Sequence, residues 1–502
     1  MRRLIYIFII GLLLCSYTWA DGSRYASKSL LSEGKWVKIR VDKTGIYKLS
    51  YADLKNMGFS DPSKVSVHGY GGWPLDEDFS KEYIDDVPST PVWRGSDYLL
   101  FYGKGPVKWE YDSSSQTFVH TNNPYSLYGY YFVTDATPTN DMTSVAQASG
   151  ATNRITTYDD YLVHEQELVS LAKSGRELYG EDFSGATPRT LSTFSSIPGI
   201  TNEDAKVTMS FVSKVTSGTG VASLSINQSN VLDVSIRSNR EEYVKALEGV
   251  STAVWKGEKR EKNSVVVSYN SASHNNVRLN YVRLHFKRTL QPYGAYTFFR
   301  SIASIGNVSR FVVQGANANT LVFDVTDAQR VRLMETELNG SELTFSIPAG
   351  TLREFVLVRT DQSFISPEVV GEVENQNLHA LEQKDMIIIA AKAFQTQAER
   401  LAEEHRATDG LTVEVVDPQS IYNEFSSGAP DATAYRRFMK MFYDRSVSAG
   451  NAPKYLLLFG DGIYDNRGIC SDVKNIARDN MLLTYQSRAS LFEYSGLFYN
   501  SN

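Results

Sequence analysis

Just beyond an apolar run at residues 455–459 the sequence reads Gly460-Asp461-Gly462-Ile463-Tyr464-Asp465, and Cys470 stands five residues further on. Two glycines let the backbone turn sharply there. Asp461 and Asp465 could then bind a hard cation such as calcium, or orient a catalytic group. The plainer alternative is a tight turn with solvated aspartates. A cysteine becomes a nucleophile when a histidine takes its proton. All seven histidines, His68, His120, His164, His274, His285, His379 and His405, precede this turn. Cys470 also has Asp465 and Asp472 close in sequence, and carboxylates raise a thiol's pKa, whereas reactive cysteines sit in electropositive surroundings. The expectation is a bystander thiol. His164-Glu165 opens a metallopeptidase string, but Leu168 stands where the second histidine would be needed. His405 falls on one helix face with Leu401 and Ala402, which makes it a packed or rim histidine.

The elements that must position the turn follow from hydrophobic pattern. Met386–Ala390 is a short apolar run without alternation, the mark of a strand buried on both faces. A helix follows with Phe394, Ala398, Leu401 and Ala402 on one side, and Thr412–Val416 gives a second strand. Asp431 is placed to cap a second helix that buries Tyr435, Phe438, Met439 and Phe442. Lys454–Phe459 is a third buried run. Strand–helix–strand–helix–strand predicts a parallel sheet with covering helices, in which chemistry sits beyond the carboxyl ends of the strands. A sheet of about three strands would leave an open edge and uncovered apolar surface. Residues 385–502 are therefore expected to pack poorly, while the domains before them fold by themselves.

Upstream the chain is β-rich, and 30 tyrosines beside 24 phenylalanines favour strands. Trp36–Val41 alternates apolar and basic residues, which predicts a half-buried strand with Lys38 and Arg40 outward. Asp42–Gly45 is a turn, and Ile46–Leu49 is expected as the partner strand. Further strands are predicted at 65–70, 97–103 and 128–133, with a short helix over 52–57. Between 155 and 370, alternating runs at 207–212, 222–226, 264–269, 277–286, 310–314 and 321–325 predict one or two further β domains of sandwich type. One helical insert is expected over Tyr161–Leu171. The tyrosine-rich strands also raise a carbohydrate platform, against the commoner explanation of strand packing. The resulting division is 1–20, 21–150 (N-terminal β-rich), 151–375 (sandwich-like), 376–487 (α/β) and a divergent tail, 488–502.

Arg2 and Arg3, the apolar run Leu4–Leu14 and a small-x-small ending at Thr18 and Ala20 read as a secretory signal peptide. Export to the periplasm, outer membrane or cell surface is the expectation. Removal of residues 1–20 takes Cys15 with it, leaving Cys470 unable to form an internal disulfide. The net charge of −6 excludes nucleic acid as an obvious partner, because no basic excess exists to neutralise phosphates.

The string Ile421-Tyr422-Asn423-Glu424-Phe425-Ser426-Ser427-Gly428-Ala429-Pro430-Asp431, followed by Leu456–Asp465, resembles the gingipain family of cysteine peptidases. Lys38–Tyr47, Gly69–Gly72, Phe101–Pro106 and Asn122–Tyr125 resemble segments of the sortase branch of that family, from the type IX secretion system of the Bacteroidota. The resemblance runs from about Ser29 to Gln486. It implies β domains ahead of a caspase-like α/β domain and a thiol acyl-transfer chemistry. It also implies action at the outer membrane on exported cargo with C-terminal signal domains, alongside outer-membrane secretion components and an anionic lipopolysaccharide acceptor. No cofactor is implied beyond the cation that Asp461 and Asp465 could take. In that family the catalytic histidine and cysteine follow later strands, so none is expected within this chain. The family pattern dissolves after Gln486, and the expectation is a chain cut inside the peptidase domain. The competing reading is a non-catalytic module that docks to secretion partners or cargo.

Overall fold

The computed structural model describes residues 24–492 apart from residues 186, 272 and 448; the expected signal segment 1–20 lies outside them. The N-terminal unit is two packed sheets. Trp36–Val41 lies between Gly129–Thr134 and Glu368–Val373, antiparallel to both, in a five-stranded sheet completed by Ser66–His68 and Ser89–Thr90. Gly45–Ser50 pairs instead with Tyr98–Gly103 in the facing sheet. The turn at 42–44 thus makes no hairpin, contrary to expectation. It carries the chain between layers, so that Ile39 and Val41 from one sheet and Leu49, Leu99 and Phe101 from the other share a core. The helix Tyr51–Asn56 starts on a capping box of Ser50 and Asp53.

The middle region is two sandwiches. Strands Thr157–Glu165, His274–Thr289, Ala205–Val215 and Leu247–Trp255 form a sheet that packs on Arg189–Thr190, Val265–Asn270, Thr219–Ile226 and Ser229–Arg237. This unit interrupts the second sandwich, whose sheets take Ser144–Val145 and Asn153–Ile155 from before it and residues 296–359 from after it. Ser144–Val145 therefore belongs with the middle region, although it falls before residue 151. The Tyr161–Leu171 helix is not formed. Thr157–Glu165 pairs over nine residues with His274–Thr289. Its acidic residues resemble a solvated helix face, but Asp159 meets His285 and Lys287 across the sheet, and Glu165 meets His120.

The C-terminal part is the expected parallel sheet, ordered Val413–Val416, Met386–Ala390, Tyr455–Phe459. Ile388 and Ala390 face the helix Gln395–Thr408 through Ala398 and Ala402. Ile387 and Ile389 face the other way, onto the helices Pro418–Phe425 and Ala432–Ser446. Asp431 caps the latter helix by accepting from Thr433 N. The outer strand, Tyr455–Phe459, is open, with Tyr455, Leu456 and Leu458 between 46% and 55% exposed. Poor packing of the whole part is nevertheless not what the structure shows. Tyr25, Leu75 and Tyr83 of the N-terminal unit join the same apolar cluster as Ile387, Phe438 and Phe442. Among the described residues, no helix is long and apolar enough to cross a membrane.

The central and outer strands should respond differently to mutation. Ile388 is fully buried, so Ile388→Ala is expected to cost about 2–5 kcal/mol in urea unfolding. Leu456→Ser on the open strand should change stability by less than about 0.5 kcal/mol. It should also lower self-association in analytical ultracentrifugation, because an exposed apolar edge strand invites pairing. Equal destabilisation by the two changes would contradict the edge position of Tyr455–Phe459.

Candidate functional site

The sheet's carboxyl edge opens onto residues 460–484. Gly460 is required there by close approach: a Cβ would lie 2.9 Å from Leu482 and 3.0 Å from Ala391. Asp461 is exposed, with its carboxylate accepting only from Gly462 N. Asp465 is buried and does something else. Its two oxygens accept the backbone N–H groups of Arg467, Gly468, Ile469 and Cys470 at 2.6–3.1 Å. That carboxylate folds the loop around itself. A calcium ion takes six to eight oxygens, and it would have to displace these four donors. The expectation of a joint Asp461–Asp465 cation site is therefore corrected: the two carboxylates serve different backbones.

Cys470 is buried against Leu178 and Val473. Burial pushes its thiol up to about 11, with the Asp465 carboxylate adding to the effect. Asp472, expected as a second contributor, turns away to accept from Tyr464 Oη at 2.5 Å and to pair with Lys173. No histidine is among the groups that act on the thiol. His405 lies at the rim of its helix, 2.6 Å from Asp409. His164 is held by Glu181 and Thr193, and His68 by Val87 O and Thr137. The arrangement at 460–470 can shape a site, and it does not contain an activated nucleophile.

The densest chemistry lies elsewhere, at the joint between the N-terminal unit and the α/β part. Asp86, His379 and Glu424 bring ligand atoms within 4.8 Å of one another, all buried. His379 Nδ1 is 2.5 Å from Glu424 Oε2 and its Nε2 is 3.0 Å from Asp85 Oδ1. Burial alone would push the imidazolium down, but the bonds to Asp85 and Glu424 outweigh it and raise the pKa to about 9. Both ring nitrogens are thus occupied by carboxylates, and the cluster is an ion network rather than a metal centre in waiting. Glu424 also accepts from Gln376 Nε2, Leu378 N and His379 N. Asp86 accepts from Ser29 Oγ and Leu30 N.

Lys38 belongs to the same joint. It is buried, not outward as the alternation predicts, and donates to Gly428 O at 2.7 Å and Asn423 Oδ1 at 3.1 Å. Burial lowers its pKa to about 7. Gly428 has φ of +82°, and a Cβ there would meet the Lys38 side chain at 2.7 Å. Sequence reasoning missed this joint because its members are scattered from position 29 to 445, and no local spacing links them. The alternation of Trp36–Val41 treats Lys38 and Arg40 alike and gives no signal that Lys38 is the buried one.

Residues 379–501 match the profile of Peptidase family C25. The C-terminal part of the chain belongs to this gingipain family. No curated protein sequence gives a significant match. Among solved structures, the chain is similar to dimeric latent PorU from Porphyromonas gingivalis, at 34% identity and a TM-score of 0.87. That likeness covers 94% of this chain and 46% of PorU, so the chain spans less than half of that relative. The globular domain of zebrafish complement 1qA (11% identity, 26% of this chain, 96% of that one) reaches a TM-score of only 0.16. A Bacillus endospore appendage protein (14% identity, 28% and 96%) reaches 0.14. Neither bears on the fold. The PorU likeness extends through the β units as well as the gingipain-type part.

Two outcomes follow from the environments of Cys470 and His379. With its thiol at about 11, Cys470 should resist iodoacetamide at pH 8 in the folded chain and react once urea unfolds it. Rapid labelling of the folded chain would contradict the burial. His379 carries a folded pKa of about 9 against an ordinary 6.5, so its ion pairs stabilise fully below about pH 6.5. That contribution is lost as pH rises through 9. His379→Gln should flatten the fall in Tm between pH 7 and 10 seen in the natural chain.

Proposed function

We propose that this chain is part of a sortase-type cysteine peptidase of the type IX secretion pathway. Such an enzyme removes C-terminal signal domains from exported cargo at the outer membrane and can pass the new carboxyl end to an anionic lipopolysaccharide. The observation that carries the reading is the extent of the PorU likeness, which takes in the N-terminal unit and both sandwiches rather than the gingipain-type part alone. A free peptidase would share the α/β part and have no need of those particular β units.

The chemistry of the lineage is acyl transfer. A thiolate attacks the scissile carbonyl, the amine departs with a proton from the histidine, and water or an acceptor amine resolves the thioester. What the described residues supply is the frame. The strand ends at Ala390, Val416 and Phe459 define the carboxyl edge where such chemistry sits. The 460–470 loop walls that edge, fixed by Asp465. The nucleophile is assigned to a group other than Cys470, and the base to one other than His379, since both are engaged in packing or ion pairs.

A second reading, a docking module without catalysis, is supported by one observation: among the described residues no histidine acts on the lone thiol. The two separate in the host. Deleting the gene should leave C-terminal signal domains on exported cargo, visible as a mass increase of secreted proteins, and a Cys470→Ala copy should restore processing fully. Normal cargo processing in the deletion strain would sink the sortase reading. Loss of processing with Cys470→Ala would return that thiol to the centre of the mechanism.

A further inference from the structure

A cleft lies where the N-terminal unit meets the two sandwiches, and none of its lining residues falls within 379–501. It holds about 510 Å³, within the roughly 300–1,000 Å³ typical of small-molecule sites. The N-terminal unit contributes the 42–44 turn, Trp73 and Trp109. The two sandwiches contribute Tyr161, Tyr296, Phe298, Arg300 and Glu354.

Eight aromatic residues line the wall. Trp73, Trp109, Tyr161, Tyr296 and Phe298 are each only half-buried. Trp109 stacks on Tyr161 with ring centroids 4.0 Å apart, and Tyr102 lies 5.9 Å from Phe298. Charged groups stand among these rings. Arg300, 1% exposed, has its Nε 2.6 Å from Glu354 Oε1 and donates through Nη1 to Asp159 O. Its guanidinium carbon lies 4.5 Å from the Tyr161 ring centroid. Arg288 donates to Asp160 Oδ2 at 3.0 Å.

Several polar atoms here have unused capacity. Trp73 Nε1 is buried and has no hydrogen-bond partner, whereas Arg300 Nε is held in its ion pair with Glu354. Among the described residues the hydroxyls of Tyr102, Tyr161 and Tyr296 have no partner either. A buried polar atom without a partner is costly and rare, and Trp73 Nε1 is one; the three hydroxyls are not buried and keep hydrogen-bonding capacity that a guest in the cleft can use. The charges balance: Asp42, Asp160 and Glu354 against Lys43, Arg288 and Arg300. An anion would meet Glu354 and Asp160, and a purely apolar guest would leave the ion pairs dehydrated.

We propose that this cleft is a binding site for a neutral pyranose saccharide. A pyranose has an apolar C–H face that fits an aromatic ring. Its hydroxyls both donate and accept, so one guest can serve guanidinium, carboxylate, indole and phenol together. The assignment is independent of the peptidase reading, because it uses neither the thiol nor the α/β part.

Tryptophan fluorescence of the whole chain, titrated into the millimolar range, tests it. The probes are cellobiose, mannobiose and N,N′-diacetylchitobiose, with glucuronic acid and the peptide Gly-Phe-Gly for comparison. At least one neutral disaccharide should give a saturable change. Tyr296→Phe, which removes one hydroxyl and little volume, should weaken binding about fivefold, as expected for a lost hydrogen bond. Trp73→Ala should weaken it at least as much, with circular dichroism confirming that both variants fold. The proposal is overturned if none of the three disaccharides saturates, if both variants bind as the natural chain does, or if only the uronic acid or the peptide binds.

Discussion

The placement of the α/β part depends on one buried carboxylate. Glu424 is fully buried and accepts from Gln376, from two backbone amides at 378–379 and from the His379 ring. Those donors lie on the segment that leaves the N-terminal sheet at Val373 and enters the gingipain-type part at Met386. His379 then reaches Asp85, and Arg445 donates to His379 O and Ala26 O. Five stretches of chain are fastened through one network. Removing one partner of such a network leaves an uncompensated buried charge, at roughly 3–5 kcal/mol. The geometry is therefore all-or-none, and it fixes the sheet's orientation relative to the β units. Lys38 adds a second fastening, from the first strand of the chain into the 426–428 turn.

The fold was legible in the sequence wherever a strand buries one face or both within its own sheet. Met386–Ala390 and Val277–Phe286 show their burial directly in residue type. Where charge is neutralised across sheets, the same pattern misleads. Thr157–Glu165 carries Asp159, Asp160, His164 and Glu165, which spell a polar face in one dimension. In three dimensions His285, Lys287, Arg288, Glu181 and His120 answer them. Lys38 fails for the mirror reason, since its partners Asn423 and Gly428 lie nearly 400 positions away. Pairing of the 42–44 turn was misassigned because a turn's chemistry does not reveal whether the chain returns to its own sheet or crosses to the next.

At the candidate site, residue type was legible and role was not. In the sequence Asp465 stands beside Asp461 as a candidate cation ligand, but its partners are four amides of its own loop. Nothing in the spacing of Asp461 and Asp465 distinguishes a cation ligand from a loop organiser, because both need an unprotonated carboxylate beside flexible glycines. Burial decided between them. The same holds for Cys470, whose inertness rests more on its apolar surroundings than on neighbouring acids.

Of the two strings that carry the family resemblance, Ile421–Asp431 also makes the joint, while Leu456–Asp465 runs out to the carboxyl edge of the sheet. In Ile421–Asp431, Asn423 accepts from Lys38, Glu424 anchors His379, and Ser427 bonds Tyr70 N and Tyr130 O. Gly428 offers its carbonyl to Lys38, and Asp431 accepts from Leu75 N. Every one of those contacts leads back to the β units or to the segment that joins them, and none leads to the carboxyl edge of the sheet. The resemblance in that first string reports how a gingipain-type domain is seated on its β units. It is weaker evidence for cleavage than for architecture, since seating and chemistry occupy opposite requirements of the same domain: one needs buried, fully paired charge, the other an exposed and unpaired thiolate. The described residues meet the first requirement in detail. The second has to be met by groups that the joint does not consume.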